Sequence, residues 1–525
     1  MIIHSPHRPV PLSGLRLTEF VLANAAELGD KPAIIDGTTG QAISYRELKA
    51  SVARCAAALT RRGVTRGDVL ALAGPNSRGY AVVFHGAAMA GAAVTTINPL
   101  APAAEMARQL QDSGARWLAA TPSLLRDKGH QAAAEAGLGA GAALEFGEAH
   151  GTIPADPHPA CGPLSAGHGM SADDLVYLPY SSGTSGLPKG VMITHRNLVA
   201  NLCQIRAVQR VRPGDVVLAA LPWFHMFGQL TVNLALRDGA TIVTMPRFEL
   251  TEFLRLVQAY RVTLVHVVPP IVLALAKQPA VADYDTSSLR LICSGAAPLG
   301  AELARSCARR LDCRVTQAYG MTEFGMSHAV PDDADGDPES IGPPLPGVEC
   351  RVTGYASGRD AEPGAAGELL VRGPANTCGY LGNADATAAA IDADGWVHTG
   401  DIVVADRAGW FRVVDRLKEI IKYNGHQVAP AALEAILLSH PAVADAAVIA
   451  CPDGEAGEVP KALVVRRHHV GAGELLAFVA DRVAPHEKVR RLEFIDEVPR
   501  SPSGKILRRV LAEHDRAAAL ARPRR

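Results

Sequence analysis

The chain has 525 residues, 48% apolar and 20% charged, which is too long for one hydrophobic core and too apolar for a disordered chain, so two to four globular units are expected. Lys plus Arg number 52 against 53 Asp plus Glu, a formal charge of −1, so no global field recommends nucleic acid or an anionic membrane as partner. The 9 cysteines lie scattered without CxxC pairs, against a disulfide framework or zinc site and for a reducing cytoplasm, and neither a signal peptide nor an apolar run of membrane-spanning length is evident.

In chain order, Leu48, Val52, Cys55 and Leu59 fall at helical spacing after Ser44, and the helix they predict runs into an apolar strand at Val69–Ala73. Alternation continues with a helix at 79–90, a strand at Ala93–Ile97, a helix at Ala103–Asp112 and a strand at Trp117–Ala120. Residues 137–170, dense in Gly, Ala, Pro and His, read as a connecting loop. A strand at 175–178 and a helix at 197–206 follow, then strands at 216–221, 240–245, 263–268 and 289–293, with helices at Leu250–Tyr260 and 300–310. Two α/β halves with parallel, doubly wound sheets are the packing this order favours. From 341 to 414 short strands with turns predict a small β-rich subdomain, and from Asp415 a smaller α+β unit follows. The fold class expected is therefore α/β, with residues 1–414 as a large N-terminal domain and 415–525 as a smaller, mobile C-terminal one.

Between the 175–178 strand and the 197–206 helix lies YSSGTSGLPKGV, 180–191. Ser181, Ser182, Thr184 and Ser185 offer hydroxyl donors, Gly183 lets backbone N–H groups approach a ligand, and Lys189 adds a cation, which together suit a polyphosphate. The spacing is not G-x-x-x-x-G-K-[ST], so an ordinary nucleotide-hydrolase loop is disfavoured.

Five segments in order carry a family resemblance: YSSGTSGLPKG (180–190), YGMTE (319–323), HTGD (398–401), DRLKEIIKYNGHQVAP (415–430) and SPSGKILRR (501–509). Together they resemble the adenylate-forming superfamily of acyl-CoA synthetases, luciferases and peptide-synthetase adenylation domains. Through LPWFHMFG (221–228), MPRFE (245–249) and SGAAPLG (294–300) the chain is most similar to cinnamate- and 4-coumarate-CoA ligases. The resemblance implies a ligase that converts a small-molecule carboxylic acid and Mg²⁺·ATP into an acyl-adenylate and then passes the acyl group to CoA. A carboxylate must meet an α-phosphate although both are anionic, so cations and oriented donors have to offset their repulsion.

Carried over residue by residue, the resemblance makes Lys505 the adenylation lysine, presented on a mobile loop rather than buried. It makes Thr322 and Glu323 phosphate-side partners, with Glu323 as the Mg²⁺ ligand, and places Tyr319 on the adenine. Gln317 and Ala318 join the nucleotide site, and Asp401 and Arg416 fix the ribose. Lys418 is the implied hinge about which the C-terminal unit turns, presenting first Lys505 and later Lys422, Gly425 and Gln427. The acyl pocket is implied at His225, Phe227, Thr231, Ala296, Ala318 and Gly320, with His225 gating the path to the thiol. Phe227 cannot hydrogen-bond a ring hydroxyl and so supplies no preference for coumarate over cinnamate.

Two departures concern CoA. Asn424 stands where relatives carry a lysine, and His486 and Glu487 replace a tyrosine and a lysine, while Arg247 and Gly425 remain as CoA-side residues. Adenylation with a different acceptor, such as a carrier-protein thiol, an amine or nitrite, is the alternative. A cytoplasmic monomer or homodimer is expected.

Overall fold

The computed structural model describes residues 1–147, 169–181, 188–334, 336–354, 358–424, 426–453, 455–501 and 504–521. Ser182, Gly183, Thr184, Ser185 and Gly425 therefore lie outside the described residues.

The first α/β half grows from strongly signalled elements. The Tyr45–Arg61 helix starts at a capping box, Ser44 accepting from the Glu47 N–H while the Glu47 carboxylate accepts from the Ser44 N–H, and it buries Leu48, Val52, Cys55 and Leu59 along one face. The strands Val69–Ala73 and Ala93–Ile97 are buried almost throughout, as strands of a parallel sheet covered on both faces must be. They form the middle of a six-stranded sheet, parallel but for one edge pair. Its other edge corrects the loop expected at 137–170, because Ala143–Glu145 is a strand paired in parallel with Trp117–Ala120.

The second half is an eight-stranded sheet whose central strands, Val216–Ala219, Thr241–Thr244, Leu264–Val267, Leu291–Ser294 and Arg314–Met321, run parallel. Pro32–Asp36 joins this sheet beside Thr241–Thr244. The last of the central strands turns back through Gly325–Ala329, antiparallel. Both sheets share one large apolar core, and a second cluster lies on the other face of the eight-stranded sheet.

The β-rich part is a five-stranded antiparallel sheet that recruits Ile3–His4 from the start of the chain. Its last strand, Phe411–Arg416, carries Asp415 and Arg416 two residues past 414. Another five-stranded sheet begins at Ile421, with helices Pro430–Ser439 and Ala472–Ala480 on a core of its own. This C-terminal unit meets the larger one through Lys277, whose ammonium donates to the Leu438 carbonyl, and through Arg467, which donates to the Lys277 carbonyl at 3.3 Å. No helix among the described residues is long and apolar enough to cross a membrane.

Candidate active site

The lysine of the SPSGK segment is held by a small backbone clasp. Ser501 N–H donates to the Lys505 carbonyl at 2.8 Å, Lys505 N–H donates to Ser501 Oγ at 3.2 Å, and Arg500 bridges to Ile506. Arg500 also donates to the Gly504 carbonyl at 3.0 Å and to Asp445 at 2.8 Å, tying the clasp to the C-terminal sheet. Three residues on, Arg508 donates to both oxygens of the buried Glu434, at 2.7 and 2.8 Å, and pairs with Glu419. Gly504 has φ +79°, and a Cβ built there would stand 2.9 Å from Val268, a residue of the larger unit, so only glycine lets the clasp seat.

The consequence is a lysine that is half-buried rather than freely solvated. The Lys505 side chain is enclosed within electrostatic reach of Arg416, Asp401, Glu323 and Glu419, and burial, followed by repulsion from Arg416, holds its pKa below the ordinary lysine value. His225 faces the same lysine and stays neutral, its pKa lowered to about 4 by burial first and by Lys505 second, with Nε2 buried and without a partner among the described residues.

Around this lysine the predicted nucleotide residues fall into two clusters. Asp401, on the Val397–Ala405 strand, accepts from the Tyr319 hydroxyl at 2.6 Å and forms an ion pair with Arg416, Nε to Oδ1 3.1 Å. Asp401 and Arg416 are partners across neighbouring strands, which sets their approach. The Tyr319 ring packs edge-on to His328, at 5.8 Å. Glu323, 7% exposed, accepts from the Tyr380 hydroxyl at 2.8 Å, and the Lys189 ammonium lies 5.1 Å from the centre of the Tyr380 ring. Lys189 and Ser181 are partners across the two-stranded ribbon at the foot of the 182–187 segment. Sequence reasoning missed Tyr380, whose signal was the turn G-Y-L-G, with Gly379 at φ +110°.

Other predicted residues stand differently. Thr322 lies beside Glu323 and lines a small cavity with Asn197, Asn201 and Met226. The Gln317 side chain is spent on the chain itself, bonding Leu299 N–H and carbonyl at 2.9 and 3.1 Å and the Pro338 carbonyl at 2.7 Å. The Thr231 hydroxyl donates back to the Gly228 carbonyl within its helix, at 2.9 Å. Ala296 is exposed at φ +70°, a strained conformation for a residue with a Cβ and of the kind that clusters at functional sites. Ala318 is buried and Gly320 exposed, and a Cβ at Gly320 would meet the Gly325 carbonyl at 2.1 Å. Phe227 packs so closely on Gly295 that a Cβ there would lie 2.7 Å from its ring.

The CoA-side residues are not gathered with Lys505. Lys422 and Gln427 are exposed cross-strand partners, with the Lys422 N–H bonded to Glu458 at 2.8 Å. Lys418 and Arg247 are exposed. Asn424 has φ +46°, His486 stacks on His426 at 4.6 Å, and Glu487 is turned inward to accept from the Ala484 N–H at 3.0 Å.

Two cations, two carboxylates and a neutral imidazole drawn from both units are suited to bringing anions together. The sequence pattern of the AMP-binding enzyme family matches residues 21–381, and that of the AMP-binding enzyme C-terminal domain matches residues 432–505. The chain belongs to the AMP-binding enzyme family. This AMP-binding enzyme is 40% identical to 4-coumarate–CoA ligase of Pinus taeda over 514 residues, 95% of this chain and 94% of that protein. Among solved structures, ATP-bound MatB from Rhodopseudomonas palustris superposes with a TM-score of 0.84 at 29% identity, covering 95% of this chain and 99% of that one. The apo form of MatB, over 95% of this chain and 98% of its own, gives 0.76 at 29% identity.

Proposed function

We propose that this enzyme activates an aromatic or arylpropenoic carboxylic acid with ATP through an acyl-adenylate and transfers the acyl group to CoA. The observation that carries the reading is the delivery of Lys505 from the C-terminal unit into the cluster of Asp401, Arg416, Glu323 and His225. There the ammonium bridges the incoming carboxylate and the α-phosphate, offsetting the repulsion that otherwise prevents attack at phosphorus. Asp401 and Arg416 hold the ribose, and Lys189 with the 182–187 segment holds the outer phosphates. His225, neutral and with Nε2 unpartnered among the described residues, borders the acid without adding charge.

Mg²⁺ fits this site. Glu323 is a single buried carboxylate among oxygen donors, and no cluster of three or more metal-binding side chains exists among the described residues, the pattern of a cation held by one carboxylate and the substrate's own phosphates. When bound there it supplies neutralisation of phosphate charge. The division near 415, with Lys418 as hinge, follows from the same reading, since Leu417–Ile420 are all that joins the sheet ending at Arg416 to the sheet starting at Ile421.

The test is pyrophosphate release over a panel of aromatic and fatty acids, with and without CoA, repeated for Lys505→Ala. Removing a donor of this kind costs about 100- to 1,000-fold in rate. Full pyrophosphate release from Lys505→Ala refutes the lysine's role, and pyrophosphate without any thioester redirects the second step to another acceptor.

A further inference from the structure

The helix Pro430–Ser439 of the C-terminal unit brings no charged or capping side chain to either of its ends. Its N-cap is Ala429, Pro430 opens it, no acidic residue stands in its first turn and no basic residue in its last. Such a helix leaves N–H groups at its start and carbonyls at its close to be met from outside, with partial positive charge at the first end and partial negative charge at the second.

Both ends are met from the larger unit. Asp415, 3% exposed on the Phe411–Arg416 strand and aligned with Ile402 in that sheet, accepts from the Ala431 N–H at 2.8 Å. Arg508 of the C-terminal unit faces the same carboxylate as countercharge. At the other end the half-buried Lys277 donates from its ammonium to the Leu438 carbonyl. Between the two, a Cβ on Gly300 would stand 3.1 Å from the Cβ of Ala435. Residues 431, 435 and 438 are spaced i, i+4 and i+7, so the three contacts fall on one face of the helix. The anion meets the positive end and the cation the negative end, the favourable sense at both. The exchange is mutual. Lys277 closes the helix Pro269–Lys277, and its own carbonyl accepts from the half-buried Arg467 of the C-terminal unit at 3.3 Å.

Each of these contacts joins residues on opposite sides of Leu417–Ile420, so a turn of the C-terminal unit about that stretch parts all of them. We infer that Asp415 and Lys277 are positioning residues that hold the C-terminal unit where Lys505 reaches Glu323, Asp401 and Arg416, by capping from the larger unit a helix that does not cap itself. They act through the share of molecules that have Lys505 in place, not on the substrates. Once the unit turns, water takes over both helix ends, so the hold is modest and reversible. The inference rests on the adenylation reading above.

The experiment measures, in the full chain, single-turnover pyrophosphate release with cinnamate and MgATP. In a Gly300→Cys, Ala435→Cys background it also measures the rate at which the pair closes to a disulfide under fixed oxidation, a reading of the docked share that needs no chemistry at the site. Lys277→Met is expected to slow both by about five- to thirtyfold, equivalent to about 1–2 kcal/mol at a partly buried helix end, with KM for MgATP within about threefold. Lys277→Arg keeps the charge and should stay within about threefold of the parent in both. Asp415→Ala should slow both by about twofold or more. Rates within twofold of the parent in Lys277→Met overturn the inference. So does a Lys277→Arg protein as slow as Lys277→Met, or slowed pyrophosphate release with disulfide closure unchanged. A wild type that releases no pyrophosphate with any acid, while closure still follows the charge at 277, sinks the adenylation reading and the role these residues have in it.

Discussion

Gly504→Ala probes the seating of Lys505, the proposed adenylation lysine, more cleanly than removal of the lysine itself, because every side chain proposed to act stays. Two costs can be separated. Placing a Cβ at φ +79° costs about 1–2 kcal/mol wherever the C-terminal unit stands. The same Cβ would lie 2.9 Å from Val268 Cγ2, well inside the roughly 3.5–4.0 Å at which carbons attract. Overpacking of this sort adds about 1 kcal/mol or more, and only when Lys505 is docked as seen here. Because the first cost is the same whether or not Lys505 is docked, only the second lowers the pyrophosphate-forming rate, and about 1 kcal/mol corresponds to a fall of about fivefold. Val268→Ala should be nearly neutral alone and should recover about fivefold in the Gly504→Ala background, a coupling of about 1 kcal/mol measured as a double-mutant cycle. A Gly504→Ala enzyme within twofold of wild type, or a double variant with no recovery, refutes the assignment of this contact to the adenylating arrangement.

Tyr380→Phe removes the hydroxyl bonded to Glu323 at 2.8 Å, and because a hydrogen bond to a charged group is worth about 1.5–3 kcal/mol, kcat/KM for MgATP should fall about 10- to 100-fold with thermal stability little changed. An unchanged MgATP dependence would remove Tyr380 from the site. Acid stability tests the buried histidines: burial lowers the pKa of His85, His195, His225 and His266 to about 4 and that of His328 to about 3. Unfolding lets each bind a proton near pH 6.5, so the stability they hold is complete above about 6.5 and is lost as pH falls toward 4, at about 1.4 kcal/mol per pH unit for each histidine. Melting temperature followed from pH 7 to 4.5 should drop steeply below 6.5, and a flat profile down to pH 5 would contradict the neutral burial of these rings.

The elements that position the site were legible where periodicity and caps agree, as in the helix after Ser44 and the strands Val69–Ala73 and Ala93–Ile97. The strand at Ala143–Glu145 was not, since three residues carry no period and it forms only because Trp117–Ala120 offers it an edge. Lys505, Glu323, Asp401 and Arg416 stood out in ordered motifs, but the approach of Lys505 to the other three was not readable, because it depends on Gly504 meeting Val268 across two units more than 200 residues apart in sequence. Tyr380 escaped notice because its role lies in one hydroxyl reaching Glu323.

The C-terminal unit carries both lysines on one body, and that constrains how two reactions share a site. Lys505 is tied through Arg500 to Asp445, and Lys422 through its N–H to Glu458, residues on the Val443–Asp453 and Gly457–Arg466 strands that pair with each other. The exposed Lys422 and the enclosed Lys505 therefore exchange places only if the whole unit turns, not if a loop moves. A crosslink that prevents turning should separate the half-reactions. A Cβ at Gly300, in the larger unit, would lie 3.1 Å from the Cβ of Ala435, a few tenths of an ångström short of disulfide spacing, so Gly300→Cys with Ala435→Cys can close by small relaxation. Oxidised, this variant should release pyrophosphate once per active site and form thioester at less than about one tenth of the wild-type rate, with recovery on reduction. Thioester formed at the full rate by the oxidised protein would mean that a single lobe arrangement serves both steps, and the assignment of Lys418 as a hinge would fall with it.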